Sequence, residues 1–161
     1  MGNRNTATRR SGEEGFTLIE MMIVVMIIAV LLTFAIPSFL GFRASAQDRA
    51  AQSTLNNAEK VATVAVIDHE GFPGTAALLV LLPTLEPRIA WLDHRDSSTG
   101  PRQVSIDEDD NGNELAMAAM SDSGTCYYQR LHRTGPTVKH HVDDAATCNA
   151  HTFQDGVGIG W

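Results

Sequence analysis

The residues Gly15-Phe16-Thr17-Leu18-Ile19-Glu20 begin the longest apolar stretch of the chain. From Phe16 to Phe42 the only charged side chain is that of Glu20. An apolar helix of about 25 residues, at 1.5 Å per residue, is roughly 37 Å long and can cross the hydrocarbon core of a bilayer. The sequence therefore predicts a membrane helix near the N-terminus.

Charge is distributed unevenly along the 161 residues, whose net charge is −7. Arg4, Arg9 and Arg10 precede the apolar stretch, and Arg43 is the first basic residue after it. Because basic residues favour the cytoplasmic side, we expect the N-terminus inside and the C-terminal part exported. The exported part is acidic, whereas nucleic-acid binding depends on Lys and Arg neutralising phosphates. No direct binding of nucleic acid is expected.

Glu20 is an unpaired carboxylate near the start of the predicted membrane helix. A carboxylate in hydrocarbon costs at least a few kcal/mol unless it has a partner, which indicates a functional role. The alternative is a Glu20 that only extends to the membrane interface. An ordinary secretory signal, cut after the apolar core near Ala35, also stays open. If the apolar segment is instead kept as an ordinary signal anchor, the chain would be a membrane-anchored binding module or enzyme.

The stretch from Gly15 to Glu20, followed by Met-Met-Ile-Val-Val and later by Pro37, resembles the N-terminus of the type IV pilin and pseudopilin family. The resemblance implies that prepilin peptidase cuts between Gly15 and Phe16 and that Phe16 is then N-methylated. It implies that the apolar segment is kept, first as a membrane anchor and then as the core of a filament. Glu20 would pair there with the terminal amine of an adjacent subunit, and Pro37 would kink or loosen the helix.

The family resemblance and the residue periodicity together predict an α+β fold, a pilin-like ladle with a long helix packed on a small antiparallel β-sheet. Residues 1–15 would be a cytoplasmic leader. Residues 16–68 would form the long helix, with 16–40 as membrane anchor and filament core, and residues 69–161 the globular head. Beyond the apolar stretch, small and apolar residues recur at three- and four-residue steps and predict a face that packs on the sheet; they are Leu55, Ala58, Ala62, Ala65 and Val66.

The head sequence predicts strands over Gln103–Ile106, Glu114–Met120 and Thr125–His132, with turn residues between them. The stretch 75–91 is ambiguous because 78–82 is apolar throughout and suits either a buried strand or a short helix. We favour the helix for its first residues.

Cys126 and Cys148 are the only cysteines. In an exported domain two cysteines most simply form one disulfide, although two free thiols remain an alternative. By closing a loop, the bond would raise the free energy of unfolding by roughly 3 kcal/mol in a chain-entropy estimate. This arrangement resembles the disulfide-bounded C-terminal region of the pilin family.

The acidic run allows two interpretations. Asp107, Asp109, Asn111 and Gly112 match the start of an EF-hand calcium loop, but the position of its closing glutamate holds an alanine. Glu114 would close a shorter loop. The alternative, which we favour, is a β-hairpin that turns at Asn111-Gly112 with solvated carboxylates.

No catalytic arrangement is evident, and the chain is predicted not to be an enzyme. Its six histidines are predicted to be polar surface residues, since the adjacent pair His140 and His141 would face opposite ways on a strand.

The predicted function is that of a structural subunit of a type IV pilus. The alternatives are a pseudopilin of a type II secretion system and a minor pilin of a DNA-uptake pilus. The resemblance implies four partners: identical subunits, prepilin peptidase, an inner-membrane assembly platform, and membrane lipid before assembly. It places the chain in the cytoplasmic membrane first and in an extracellular filament afterwards.

Overall fold

The computed structural model describes residues 15–69, 71–109, 111–152 and 160–161. The predicted leader, apart from Gly15, lies outside the described residues, and so does Asp110 of the acidic run. The chain divides into two compact units, Met1–Leu40 and Gly41–Trp161, and each is described by itself.

Helix α1 runs from Leu18 to His69 and contributes to both units. In the first unit this helix is long and apolar enough to cross a membrane. The residues of its most apolar part are not buried by any other described residue of that unit. The helix continues through Pro37. Because proline has no N–H, the carbonyl of Thr33 lacks its usual helical donor there. The kink at Pro37 stays a prediction.

The second unit begins with the C-terminal part of α1. A stripe of small and apolar side chains at three- and four-residue steps is fully buried there, comprising Ala51, Leu55, Ala58, Ala62 and Ala65. Alanine allows the helix backbone to approach the sheet closely, and burial of this stripe is what fixes the helix on the head. The packing face predicted from the sequence is therefore confirmed in its main residues.

Helix α2, Thr75–Leu85, occupies the stretch that the sequence left ambiguous. Its Leu78 and Leu82 are completely buried in the same core as the α1 stripe. The favoured helical alternative is therefore correct. A helix suits this stretch because the spacing of four residues places both leucines on one helical face.

Five strands form one sheet in the order β1-β2-β3-β4-β5. They are β1 Ala90–Leu92, β2 Gln103–Glu108, β3 Glu114–Met120, β4 Cys126–His132 and β5 Val138–Val142. The neighbours from β2 to β5 are antiparallel, as predicted. Strand β1 instead pairs in parallel with β2, so the sheet is mixed. Residues 93–102 return the chain to the end of the sheet at which β1 begins, so that β2 runs in the same direction as β1. A hairpin would instead reverse the direction of the chain.

Both faces of the sheet are covered. On one face Ile106, Leu115 and Met117 pack with α1 and α2. On the other, Ala116 and Ala118 pack with the segment around Cys148. Burial on both faces explains why β3 is an almost continuous apolar run and does not alternate with polar residues.

Candidate functional site

The N-terminus of α1 is closed by Thr17. Its Oγ1 accepts a hydrogen bond from the backbone N–H of Glu20 at 3.2 Å. Its carbonyl accepts one from the N–H of Met21 at 3.3 Å. Thr17 and Glu20 have the Thr-x-x-Glu spacing of a capping box. The residue that follows Phe16 therefore fixes where the helix begins.

Glu20 lies in the first turn of α1, where the helix dipole favours a negative charge. Its surroundings in the protomer are exposed and apolar: Phe16 is 74% exposed and Leu18 is 78% exposed. An apolar surface of this extent is unfavourable in water and requires lipid or protein to cover it. Covering it would also take the carboxylate out of water, which requires a positive partner.

In the filament that the family resemblance implies, Thr17→Ala should weaken assembly, because the Glu20 N–H would lose its acceptor in an apolar environment. Loss of an N-cap costs about 1 kcal/mol, which corresponds to roughly a fivefold loss in an association constant. Thr17→Ser should restore assembly, since its hydroxyl accepts the same hydrogen bond. The yield of sheared filaments, normalised to processed subunit in the membrane, measures the effect. Equal yields from the alanine and serine variants would exclude the capping role.

A disulfide joins Cys126 of β4 to Cys148, with a Cα–Cα distance of 5.5 Å. Both cysteines are completely buried. The segment around Cys148 is also held by backbone bonds, since the Ser98 N–H donates to the Cys148 carbonyl at 2.7 Å. The disulfide, together with this hydrogen bond, therefore fixes the C-terminal segment against the face of the sheet that is opposite α1.

The acidic run forms the hairpin between β2 and β3. Gly112 has a φ of 68°, and its N–H donates to the Asp109 carbonyl at 3.0 Å. Asp109 Oδ1 accepts from the N–H groups of Asn113 and Glu114, both at 2.7 Å. The Asp109 carboxylate therefore stabilises the turn itself. The hairpin is the predicted one, but its hydrogen-bonded turn spans 109–112 and has Gly112 as its last residue, one position earlier than a turn centred on Asn111-Gly112.

Two of the other candidate calcium ligands, Glu114 and Asp107, have basic neighbours. The Glu114 carboxylate lies 3.0 Å from His132 Nδ1, and Asp107 Oδ2 lies 3.4 Å from His151 Nδ1. Within the described residues, no group of three or more His, Cys, Asp or Glu side chains is placed to hold a metal ion. Calcium binding in this loop stays the less favoured alternative to the plain hairpin.

Two arrangements were missed from the sequence. Asp48 of α1 accepts hydrogen bonds from the hydroxyls of Ser121, at 2.8 Å, and Ser123, and so ties the β3–β4 turn to the helix. Burial raises the pKa of the nearby Tyr127 hydroxyl, and the negative charge of Asp48 raises it further. The second arrangement, His94 beside His151, is described below. Neither has a local sequence pattern, because the partners are distant along the chain.

Comparison with known proteins agrees with the N-terminal geometry. The family described as "Prokaryotic N-terminal methylation motif" matches residues 10–36. The competence protein ComGC of Halalkalibacterium halodurans is 39% identical over 90 residues, which cover 56% of this chain and 81% of that protein. The chain belongs to the type IV pilin and pseudopilin family.

Two further relatives have different roles. The type IV wide pilus major component PilA4 of Thermus thermophilus is 39% identical over 69 residues, or 43% of this chain and 53% of that protein. The chain thus matches about half the length of the Thermus relative. The type II secretion system core protein G of Vibrio cholerae is 28% identical over 117 residues, or 70% of this chain and 75% of that protein. No solved structure matches the chain significantly. None of these relatives is named as an enzyme, in agreement with the prediction for this chain.

Proposed function

We propose that this chain is the structural subunit of a type IV pilus, processed by prepilin peptidase between Gly15 and Phe16 and polymerised through the first part of α1. The observation that carries the proposal is the position of Glu20, one turn after Phe16 on an apolar helix segment whose described residues are exposed. The 39% identity with a major pilus component over 69 residues supports it.

Cleavage after Gly15 would give Phe16 a terminal ammonium group and remove the basic leader. In a filament, the ammonium of one subunit and the Glu20 carboxylate of another would both lie in an apolar core. An isolated buried charge costs several kcal/mol, whereas a pair with good geometry recovers much of that cost. The pair would thus favour one register between neighbouring helices over others.

The rest of the chain supports export. The apolar part of α1 would hold the subunit in the cytoplasmic membrane until an assembly platform draws it into the filament. The buried disulfide between Cys126 and Cys148 requires an oxidising compartment, which agrees with a head on the outer side of the membrane. N-methylation of Phe16 would follow cleavage on the cytoplasmic side.

A second candidate is a pseudopilin of a type II secretion system. One observation favours it: the similarity to the Vibrio core protein G extends over 117 residues and so reaches well into the head. The two candidates differ in the location of the filament. A pilus is recovered by shearing from the cell surface, whereas a pseudopilus stays in the envelope and its loss stops secretion of exported proteins.

Mass spectrometry of the mature protein tests the proposal. The expected N-terminal peptide begins at Phe16 and carries one additional methyl group on its amine. A chain that keeps Met1, or one cut near Ala35, would contradict both filament candidates. Retention of Met1 would favour a signal-anchored module. Deletion of the coding sequence, followed by assays of sheared surface filaments and of protein secretion, then separates pilin from pseudopilin.

A further inference from the structure

Two histidines from distant parts of the chain lie side by side in the head. His94 follows β1, and His151 belongs to the C-terminal segment after Cys148. Their ring centroids are 5.6 Å apart, with an angle of 65° between the rings. The backbone N–H of His151 also donates to the backbone carbonyl of His94 at 3.3 Å, so that the backbone holds the two residues next to each other.

Each of the two imidazoles has a carboxylate at its Nδ1. His94 Nδ1 contacts Asp93 Oδ1, and His151 Nδ1 lies 3.4 Å from Asp107 Oδ2. A carboxylate at Nδ1 stabilises the tautomer whose lone pair is on Nε2. The same arrangement orients most histidines that bind metals, because it fixes the ring and increases the basicity of the ligating nitrogen.

The backbone beneath the pair is fixed by several bonds. The Ser105 hydroxyl donates to the Asp93 carbonyl at 2.9 Å and accepts from the Ala150 N–H at 3.1 Å. The disulfide at Cys148 fixes the same segment. Both histidines line an open cleft of about 660 Å³, and their side chains are 29% and 58% exposed. The two rings are therefore held in place and accessible to an ion from solvent.

We propose that His94 and His151 bind a divalent transition-metal ion of the zinc and copper type through their Nε2 atoms. Imidazole nitrogen suits these metals, whereas calcium and magnesium take oxygen ligands. Because only two protein ligands are assigned, water completes the coordination. The bound ion connects the loop after β1 with the C-terminal segment and stabilises the exported head. This site does not depend on which filament the chain forms.

Zinc titration of the full-length processed chain in detergent tests the site. For the wild-type protein, we expect a saturable rise in the melting temperature with Zn²⁺, since a ligand that binds only the folded state stabilises it. His94→Ala and His151→Ala should each abolish the rise. Asp107→Asn should weaken zinc binding about tenfold or more, because it removes the group that orients His151.

Two histidine variants serve as matched controls. His132→Ala removes a histidine that also has a carboxylate at Nδ1, but one that does not line this cleft. His69→Ala removes a histidine at the end of α1. Both variants should keep the wild-type response to Zn²⁺. Melting without metal shows whether each variant is folded.

An independent measurement uses Cu²⁺ bound to the wild-type chain. Its electron paramagnetic resonance spectrum should show nitrogen couplings from two imidazoles. The proposal is overturned if the wild-type chain shows neither a zinc-dependent rise in melting temperature nor these couplings. It is equally overturned if a variant that lacks both His94 and His151 responds to zinc as the wild type does.

Discussion

Glu20→Ala should abolish most filament assembly while the subunit still enters the membrane. The substitution leaves the apolar helix intact, and alanine is a good helix former. It removes one partner of the proposed pair and leaves the Phe16 ammonium of a neighbour in an apolar core. Breaking a buried ion pair in this way costs about 3–5 kcal/mol, so the yield of sheared filaments should fall at least about tenfold.

Ser38→Ala is the matched control for this experiment. Ser38 is also a polar residue on the exposed face of α1, but its hydroxyl donates to the Phe34 carbonyl of its own helix at 3.1 Å. Removing it should leave filament yield close to that of the wild type. Membrane fractionation and mass spectrometry show whether each variant is inserted and cut. Wild-type filament yield from processed Glu20→Ala would refute the pairing role.

Much of the fold follows from local patterns. The run from Phe16 to Phe42 is long and apolar enough for a membrane helix, and the alanine-rich stripe after it has the helical period. Strands β3 and β4 were evident because turn residues separate them. All of these features depend on residues within a few positions of each other.

The remaining features depend on contacts between distant residues. Strand β1 has only three residues and pairs in parallel with β2, so its sequence carries no alternation that indicates a strand. Strand β5, Val138–Val142, is likewise short and lies at the edge of the sheet. Edge strands are defined by their partner more than by their own composition.

The assembly motif at the N-terminus and the histidine pair in the head differ in the same way, the first depending on neighbouring residues and the second on distant ones. Gly15, Phe16 and Glu20 lie within six consecutive residues, and their spacing alone suggests an assembly motif. His94 and His151 become neighbours only after the C-terminal segment has folded onto the sheet. The sequence places histidines in several loops and strands without distinguishing this pair. Of its two carboxylate neighbours, Asp93 directly precedes His94, whereas Asp107 belongs to the acidic run and suggests calcium.

Cys126→Ala combined with Cys148→Ala should lower the stability of the head by about 3 kcal/mol. The covalent bond closes a loop with a sequence separation of 22 residues, and the chain-entropy model gives about this value for such a loop. In a head of roughly 120 residues the melting temperature would fall by about 12 °C. Near-ultraviolet circular dichroism of the processed full-length chain follows the melting through the aromatic residues of the head.

Thr147→Ala is the control, because it alters an exposed residue next to the disulfide and should change stability by less than about 0.5 kcal/mol. The comparison separates two ways in which the C-terminal segment is held. If the variant without cysteines melts within about 3 °C of the wild type, hydrogen bonds such as that from Ser98 to Cys148 suffice, and the disulfide adds little. A large decrease shows that loop closure dominates, because those backbone bonds remain available to both proteins. A reduced wild-type chain should then melt at the same temperature as the double variant.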